Sequence, residues 1–456
     1  MDKITQKDLV SFSKKFNQDS KNILAKNAVT STKLNNVLIN RDVIQERRKV
    51  FSKEIDVKVD ATNQKSSGRC WLFAFLNVLR LKMIKKYKLD EDFEFSQSYL
   101  FFWDKLEKSN FFLNSIMQSR TENLDSRLLS YLLKEPTSDG GQWNMLVNLV
   151  NKYGVIPKCC MHETYQSSHS HDLNNVLNNK LRDFAEKIRS SRKGKFDINK
   201  ALQEIYNILV IFLGEPPKKI TWEYYSEKSN TKSKQSKQSK QSKQSKKYNI
   251  VSDISPLDFY KKHVPFNVDK MICLVNAPIT SRPYYHLFNL KYFGNVIDGA
   301  KTNYVNIPIK EMKDIVRKSI NGDDAVWFGG DVDKYFDNTM GILDVNAFDY
   351  KKVFGFDIDL TKGQRLEYCM STITHAMVLK GYDLKNRKVS QWLVENSWGD
   401  ENELKGDLIM SDGWFDEYVW EVVVDKKYVP KKVKDVLKKK AIELEPWDYF
   451  GELLRY

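Results

Sequence analysis

The sequence predicts an α+β protein whose N-terminal half is helical and whose C-terminal half is rich in antiparallel strands, with helices on one side of the sheet. Three observations carry this. From Leu72 to Ile84, and again from Tyr99 to Ile116, apolar residues recur at helical spacing. From Pro256 onward the pattern changes to short β-compatible runs at Met271–Val275, Ala325–Phe328, Ala376–Leu379, Gln391–Glu395 and Glu421–Val424. Between the halves, residues 232–247 repeat Lys-Gln-Ser without one apolar side chain, so they cannot support a packed core. We expect a solvated, mobile surface insertion there.

Taken in order, residues 1–55 read as a polar helical arm and residues 56–170 as a helical lobe. Within that lobe the aromatic run Tyr99-Leu-Phe-Phe-Trp103 is core by its spacing. Asp139-Gly-Gly-Gln-Trp143 breaks the chain before a second apolar helix at Met145–Val150. Residues 171–255 form an insertion of charged amphipathic helices that includes the Lys-Gln-Ser tract. Residues 256–440 are the β-rich lobe, and 441–456 a C-terminal arm.

A chain of 456 residues, 41% hydrophobic and 12% aromatic, is globular rather than disordered. No apolar run approaches the ~20 residues of a membrane span, and the charged N-terminus lacks an apolar signal segment. A cytoplasmic protein without membrane attachment is expected. Five cysteines are few and odd in number, so no disulfide framework is implied. Cys159 and Cys160 are adjacent, but no CxxC spacing suggests a zinc site, and we expect neither metal nor cofactor. The net charge of +15 points toward polyanions, yet seven lysines fall within 232–247 and only +8 remains elsewhere. Weak, salt-sensitive nucleic-acid binding is therefore the second reading of function.

The chemistry concentrates at Cys70. A polar turn from Asn63 ends abruptly there, and the apolar helix starts at once. Free backbone N–H groups and the helix dipole stabilise a thiolate at such a position. The alternative is an inert core cysteine, the usual fate of a free thiol. Gln64 carries an amide able to donate to a developing oxyanion. Among six histidines, His169 and His171 sit in a Ser/His stretch that reads as an exposed loop. His375 instead opens an apolar strand, which fixes an imidazole rigidly. Asn396 ends another strand, where its amide oxygen can accept from that ring, and Trp398 can cover the bond and keep water away. A cysteine at a helix start with His and Asn at strand ends is the arrangement of papain-like proteases.

Longer segments strengthen this reading. Gln64-Lys-Ser-Ser-Gly-Arg-Cys-Trp71, Thr374-His-Ala-Met377 and Glu395-Asn-Ser-Trp-Gly399 resemble the nucleophile, histidine and asparagine motifs of the bleomycin hydrolase / aminopeptidase C family. Phe101-Phe-Trp-Asp-Lys-Leu-Glu-Lys108, Lys152-Tyr-Gly-Val-Ile-Pro-Lys158 and Trp414-Phe-Asp-Glu-Tyr418 extend the resemblance from about residue 50 to the C-terminus. It implies a papain-like two-lobed core with helical and hook insertions. It also implies a cysteine aminopeptidase acting on peptide substrates, with Cys70 as nucleophile, His375 as acid/base, Asn396 as its orienter and Gln64 in the oxyanion hole. Gly140 and Gly141 match the cleft glycines, and Cys70 and His375 are expected as a thiolate–imidazolium pair. The family further implies a homohexamer whose C-terminal arm enters the cleft. Here the arm carries Tyr449-Phe450 where the family has Pro-Met, and Arg455-Tyr456 overshoot its usual end.

Overall fold

The computed structural model describes residues 2–191, 196–227 and 246–451. The central element is the helix Cys70–Tyr87. The sequence predicts an amphipathic helix there, yet every residue from Cys70 to Leu81 is buried, Asn77 and Arg80 included. A helix apolar nearly all round must be enclosed. Helices Gln97–Gln118, Trp143–Tyr153, His171–Ser190 and Ile198–Leu213 belong with it to one hydrophobic core.

Against this lobe lies a mixed sheet of 12 strands among the described residues. At its middle, strands Val419–Asp425, Val326–Gly330, His375–Lys385, Lys388–Glu395 and Asp407–Ser411 run antiparallel, each to the next. Three outer pairings are parallel, among them Met271–Val275 with Tyr304–Asn306. All five sequence-predicted runs fall on strands: Met271–Val275 matches end to end, Ala325 stays outside Val326–Gly330, and the other three are extended. Helices were expected on one side only, and here the structure differs. Ala376 and Val378 face the helical lobe, but Met377 and Leu379 pack oppositely, against Met312, Ile315 and Val316 of the helix Ile309–Asn321. Continuous apolar strands need cover on both faces.

The N-terminal residues form the helices Gln6–Gln18 and Ser20–Ser31, which bury none of their own side chains, then Leu34–Leu38 and Arg41–Glu46. Leu38 and Ile44 pack on Ile342 and Phe348 of the β-rich lobe, and Arg47 pairs with Asp344 at 2.5 Å. Lys53–Glu54 then adds a short strand beside Gly381–Tyr382.

Most of the Lys-Gln-Ser tract lies outside the described residues. Its last two lysines do not belong to a structureless insertion. Lys246 and Lys247 open the strand Lys246–Ile254, which pairs antiparallel with Ile220–Glu227 inside the insertion expected to be helical. Alternation explains it: Trp222 is buried and stacks on Tyr224 at 4.0 Å, while Thr221 and Glu223 face solvent. The C-terminal arm adds Ile442–Leu444 to the sheet edge and buries Phe450 between Tyr304 and Phe288. Arg455 and Tyr456 lie outside the described residues. Among those described, no helix is long and apolar enough to cross a membrane.

Candidate active site

Cys70 is the first residue of its helix and is 3% exposed. The turn before it is tied at every residue. Gln64 Nε2 donates to Ser67 O at 2.7 Å, Ser67 Oγ donates to Gln64 O at 2.7 Å, and Gly68 N–H donates to Asp139 Oδ2 at 3.0 Å. Arg69, fully buried, donates from Nε to Ser67 Oγ at 2.9 Å, pairs with Glu163 at 2.8 Å, and lies over the rings of Phe73 and Phe101. Lys65 takes φ 52°, a left-handed conformation stabilised locally by its N–H bond to Asn63 Oδ1 at 2.9 Å.

His375 begins its strand opposite Gly330. Its Nε2 lies 2.8 Å from Asn396 Oδ1. An amide oxygen only accepts, so Nε2 carries the proton and Nδ1 is left as the basic nitrogen. Trp398 lies beside the imidazole, with ring centres 4.6 Å apart and planes tilted by 34°. The next residue along the strand, Ala376, directs its backbone N–H at the Cys70 thiol. The sulfur, the imidazole and the amide are thus assembled on one helix start and two neighbouring strands.

Burial pushes the Cys70 thiol up to about 11, opposed by the N–H groups of Ala376, Trp71 and Cys70 itself. Burial likewise pushes His375 down to about 4, opposed by the bond to Asn396. A lone charge on either group is disfavoured, so a thiolate–imidazolium pair requires both charges to form together by transfer of one proton.

Gln64 is joined to the asparagine loop. Its Oε1 accepts from Ser397 Oγ at 2.7 Å, and its backbone N–H donates to Ser397 O at 2.8 Å. Asn63 bridges Trp398, and Gly399 N–H donates to Thr62 O at 2.9 Å. Gly399 has φ +81°, and a Cβ there would meet Asn63 Nδ2 at 2.6 Å, so glycine is required for the two loops to close on each other. One Nε2 proton of Gln64 is used by Ser67, which leaves the other for a ligand oxygen.

The Gly140–Gly141 segment rests on buried charge. Lys108 Nζ donates to Ser138 O at 3.0 Å and to Gly140 O, pairs with Asp104 at 2.6 Å, and lies 5.2 Å from the Trp71 ring centre. Asp139 pairs with Lys105 at 2.8 Å and accepts from Ser170 and Asn174; these partners hold its carboxyl well below the usual range despite full burial. Its carbonyl accepts from Trp71 Nε1 at 2.7 Å. A Cβ on Gly141 would meet the Trp71 indole at 2.6 Å, so the ring lies against the Gly141 backbone as only glycine allows.

Sequence reasoning did not single out Asp139, Lys105, Lys108, Arg69 or Ser397 as supports of the site. The rings of His169 and His171 are not part of it: the His169 backbone bridges Ser66 of the turn before Cys70 while its ring stacks on Tyr165, and His171 opens a helix. Among the described residues, no group of three or more His, Cys, Asp or Glu side chains is disposed to hold a metal ion.

The chain matches the model of the Peptidase C1-like family over residues 3–451. It is 41% identical to bleomycin hydrolase of Mus musculus over 455 residues, covering 96% of each chain. With aminopeptidase C of Listeria monocytogenes it shares 39% identity, covering 99% of each. The crystal structure of PepW from Lactobacillus rhamnosis superposes with a TM-score of 0.91 at 39% identity, over 98% of both chains. A papain-like α+β fold, a buried cysteine at a helix start and near full-length agreement with these relatives lead to one assignment: the chain is a cysteine-type peptidase and belongs to the Peptidase C1-like family.

Proposed function

We propose that this peptidase is a cytoplasmic cysteine aminopeptidase that removes N-terminal residues from short peptides through a thioester. The observation that carries this reading is the 2.8 Å contact between His375 and Asn396 on the strand that also directs Ala376 N–H at Cys70. In the proposed cycle, Cys70 gives its proton to His375 Nδ1 as the sulfur attacks the carbonyl after the first residue. The imidazolium so formed keeps its Nε2 bond to Asn396. The oxyanion is met by the second Nε2 proton of Gln64 and by the Cys70 backbone N–H. Collapse expels the rest of the peptide as an amine, which takes the proton from His375. Water, deprotonated by the same imidazole, then hydrolyses the thioester and frees the amino acid.

Gly140 and Gly141 are assigned to pair with the extended substrate, and Trp398 to bind beside it while covering the His375–Asn396 bond. The curated relatives named aminopeptidase C support exopeptidase action, and the C-terminal arm from residue 441 is the segment assigned to limit the cleft. By the same resemblance the protein assembles as a homohexamer.

The test is hydrolysis of fluorogenic substrates with a free and with an acetylated N-terminus, by wild type and Cys70→Ala. We expect activity on free amines only, and loss of at least ~10³-fold in the variant. Equal cleavage of acetylated substrates overturns the exopeptidase reading. No hydrolysis together with salt-sensitive polyanion binding favours the nucleic-acid reading. Intact masses of the two proteins report on the tail: removal of Arg455 and Tyr456 in wild type alone identifies self-trimming, and equal full-length masses dismiss it.

A further inference from the structure

Outside the site, a pocket of about 330 Å³ opens between the sheet and the segment 54–61. Its walls include Lys49, Lys380, Leu393, Glu395, Gly406 and Asp407. It backs the strand that leads to Asn396. Glu395 is the residue directly before that asparagine, and Gly406 O accepts from Asn396 N–H at 3.1 Å. A space of this size takes a small molecule.

The inner side of the pocket is rich in cations. Lys380, 8% exposed, pairs with Asp407 at 2.7 Å and lies 3.6 Å from Glu395. Lys49 reaches across to the same Asp407 at 3.0 Å and donates to Leu404 O at 3.2 Å. Arg80 lies next to this wall, since both of its acceptors line the pocket: Glu395 at 2.6 Å and Asp60 O at 2.8 Å. Three cations thus share two carboxylates. Neither ammonium spends all three of its donors on these partners, and Arg80 Nε and Nη1 have no acceptor among the described residues. A ligand carboxylate supplies the missing negative charge and the missing acceptor.

The outer side has the opposite character. Of the other exposed residues that line the pocket, Glu54, Asp56, Asp60 and Glu91 are acidic, against the two lysines Lys58 and Lys405. Val57, Val59 and Leu393 add apolar wall. The ligand that suits all three is small, anionic at one end, cationic at the other, and apolar beside them.

We propose that this pocket is a binding site for a free α-amino acid with an aliphatic side chain. Its carboxylate is received by Lys380 and Lys49, its ammonium by the acidic rim, and its side chain by Val57, Val59 and Leu393. The site holds neither Cys70 nor His375, so it goes beyond the peptidase reading and its test needs no hydrolysis.

Calorimetric titration of the full-length protein with L-leucine provides that test. Isoamylamine is leucine without the carboxylate, 4-methylpentanoate is leucine without the amine, and inorganic phosphate is an anion with neither amine nor side chain. Leucine should bind, and each of the other three at least ~10-fold more weakly. Lys380→Met should weaken leucine binding by about tenfold. The surface variant Asp56→Asn/Glu91→Gln should weaken it by about fivefold, and it alters exposed side chains alone, so it decides the question even where Lys380→Met fails to fold. No heat with leucine up to about 10 mM, or leucine binding that either folded variant leaves unchanged, overturns the site. Phosphate or 4-methylpentanoate binding as tightly as leucine makes it a general anion site and overturns the amino-acid assignment.

Discussion

At the scale of single residues, the proposed mechanism makes one proton passed between Cys70 and His375 set the pH behaviour. The productive state holds one proton between sulfur and imidazole, whichever atom carries it. Protonating His375 removes the base, so kcat/KM should fall as pH drops through about 4. Losing the shared proton leaves no acid for the leaving amine, so the alkaline limb belongs near 11. The Asn396 bond favours the charged imidazole, so Asn396→Ala should move the acid limb lower and reduce kcat by roughly 10²-fold. A pH–rate profile of the variant checks both, and an acid limb moving upward contradicts the assignment. Cys70, His375 and Asn396 were legible because each stands at the junction of a polar turn and an apolar periodic run. Lys105 and Lys108 were not. Both sit within the helix Gln97–Gln118, where a lysine reads as solvated, and Thr137 and Ser138, 32 and 30 residues away, are among the partners that enclose them.

At the scale of elements, the nucleophile helix is tied to the asparagine strand by an enclosed ion pair. Arg80 and Glu395 meet at 2.6 Å, 1% and 3% exposed, and Arg80 also donates to Asp60 O at 2.8 Å. Removing one partner leaves a charge in the core. Glu395→Gln should therefore cost about 3–5 kcal/mol in chemical denaturation, while Arg80→Met/Glu395→Leu should recover most of it. A double variant as unstable as the single one argues that the pair itself stabilises the fold. The five strands foreseen in the sequence are ones that hold a continuous apolar run of three or more residues, such as Met271–Val275. The hairpin at Ile220–Glu227 and Lys246–Ile254 escaped because its alternation is aromatic and charged, and its second strand starts inside a low-complexity tract. The helix Ile309–Asn321 does carry a signal, Met312, Ile315, Val316 and Ile320 at helical spacing, that the strand-rich pattern around it obscured.

At the scale of the whole molecule, the first two helices contribute no buried side chain, and stability should be nearly indifferent to them. Deleting residues 2–31 should shift Tm by less than about 3 °C in calorimetry, since little apolar surface leaves the core. A larger drop assigns the arm a part in the core. The seam that joins Thr62, Asn63 and Gln64 to Ser397, Trp398 and Gly399 bears on synthesis as well as on the finished enzyme. Gln64 and Ser397 are 333 positions apart, so on the proposed roles the sulfur leaves the ribosome long before its base or its oxyanion donor can be set in place. A half-made chain carries a thiol and no protease, and cutting power arrives only when the last third has folded onto the first.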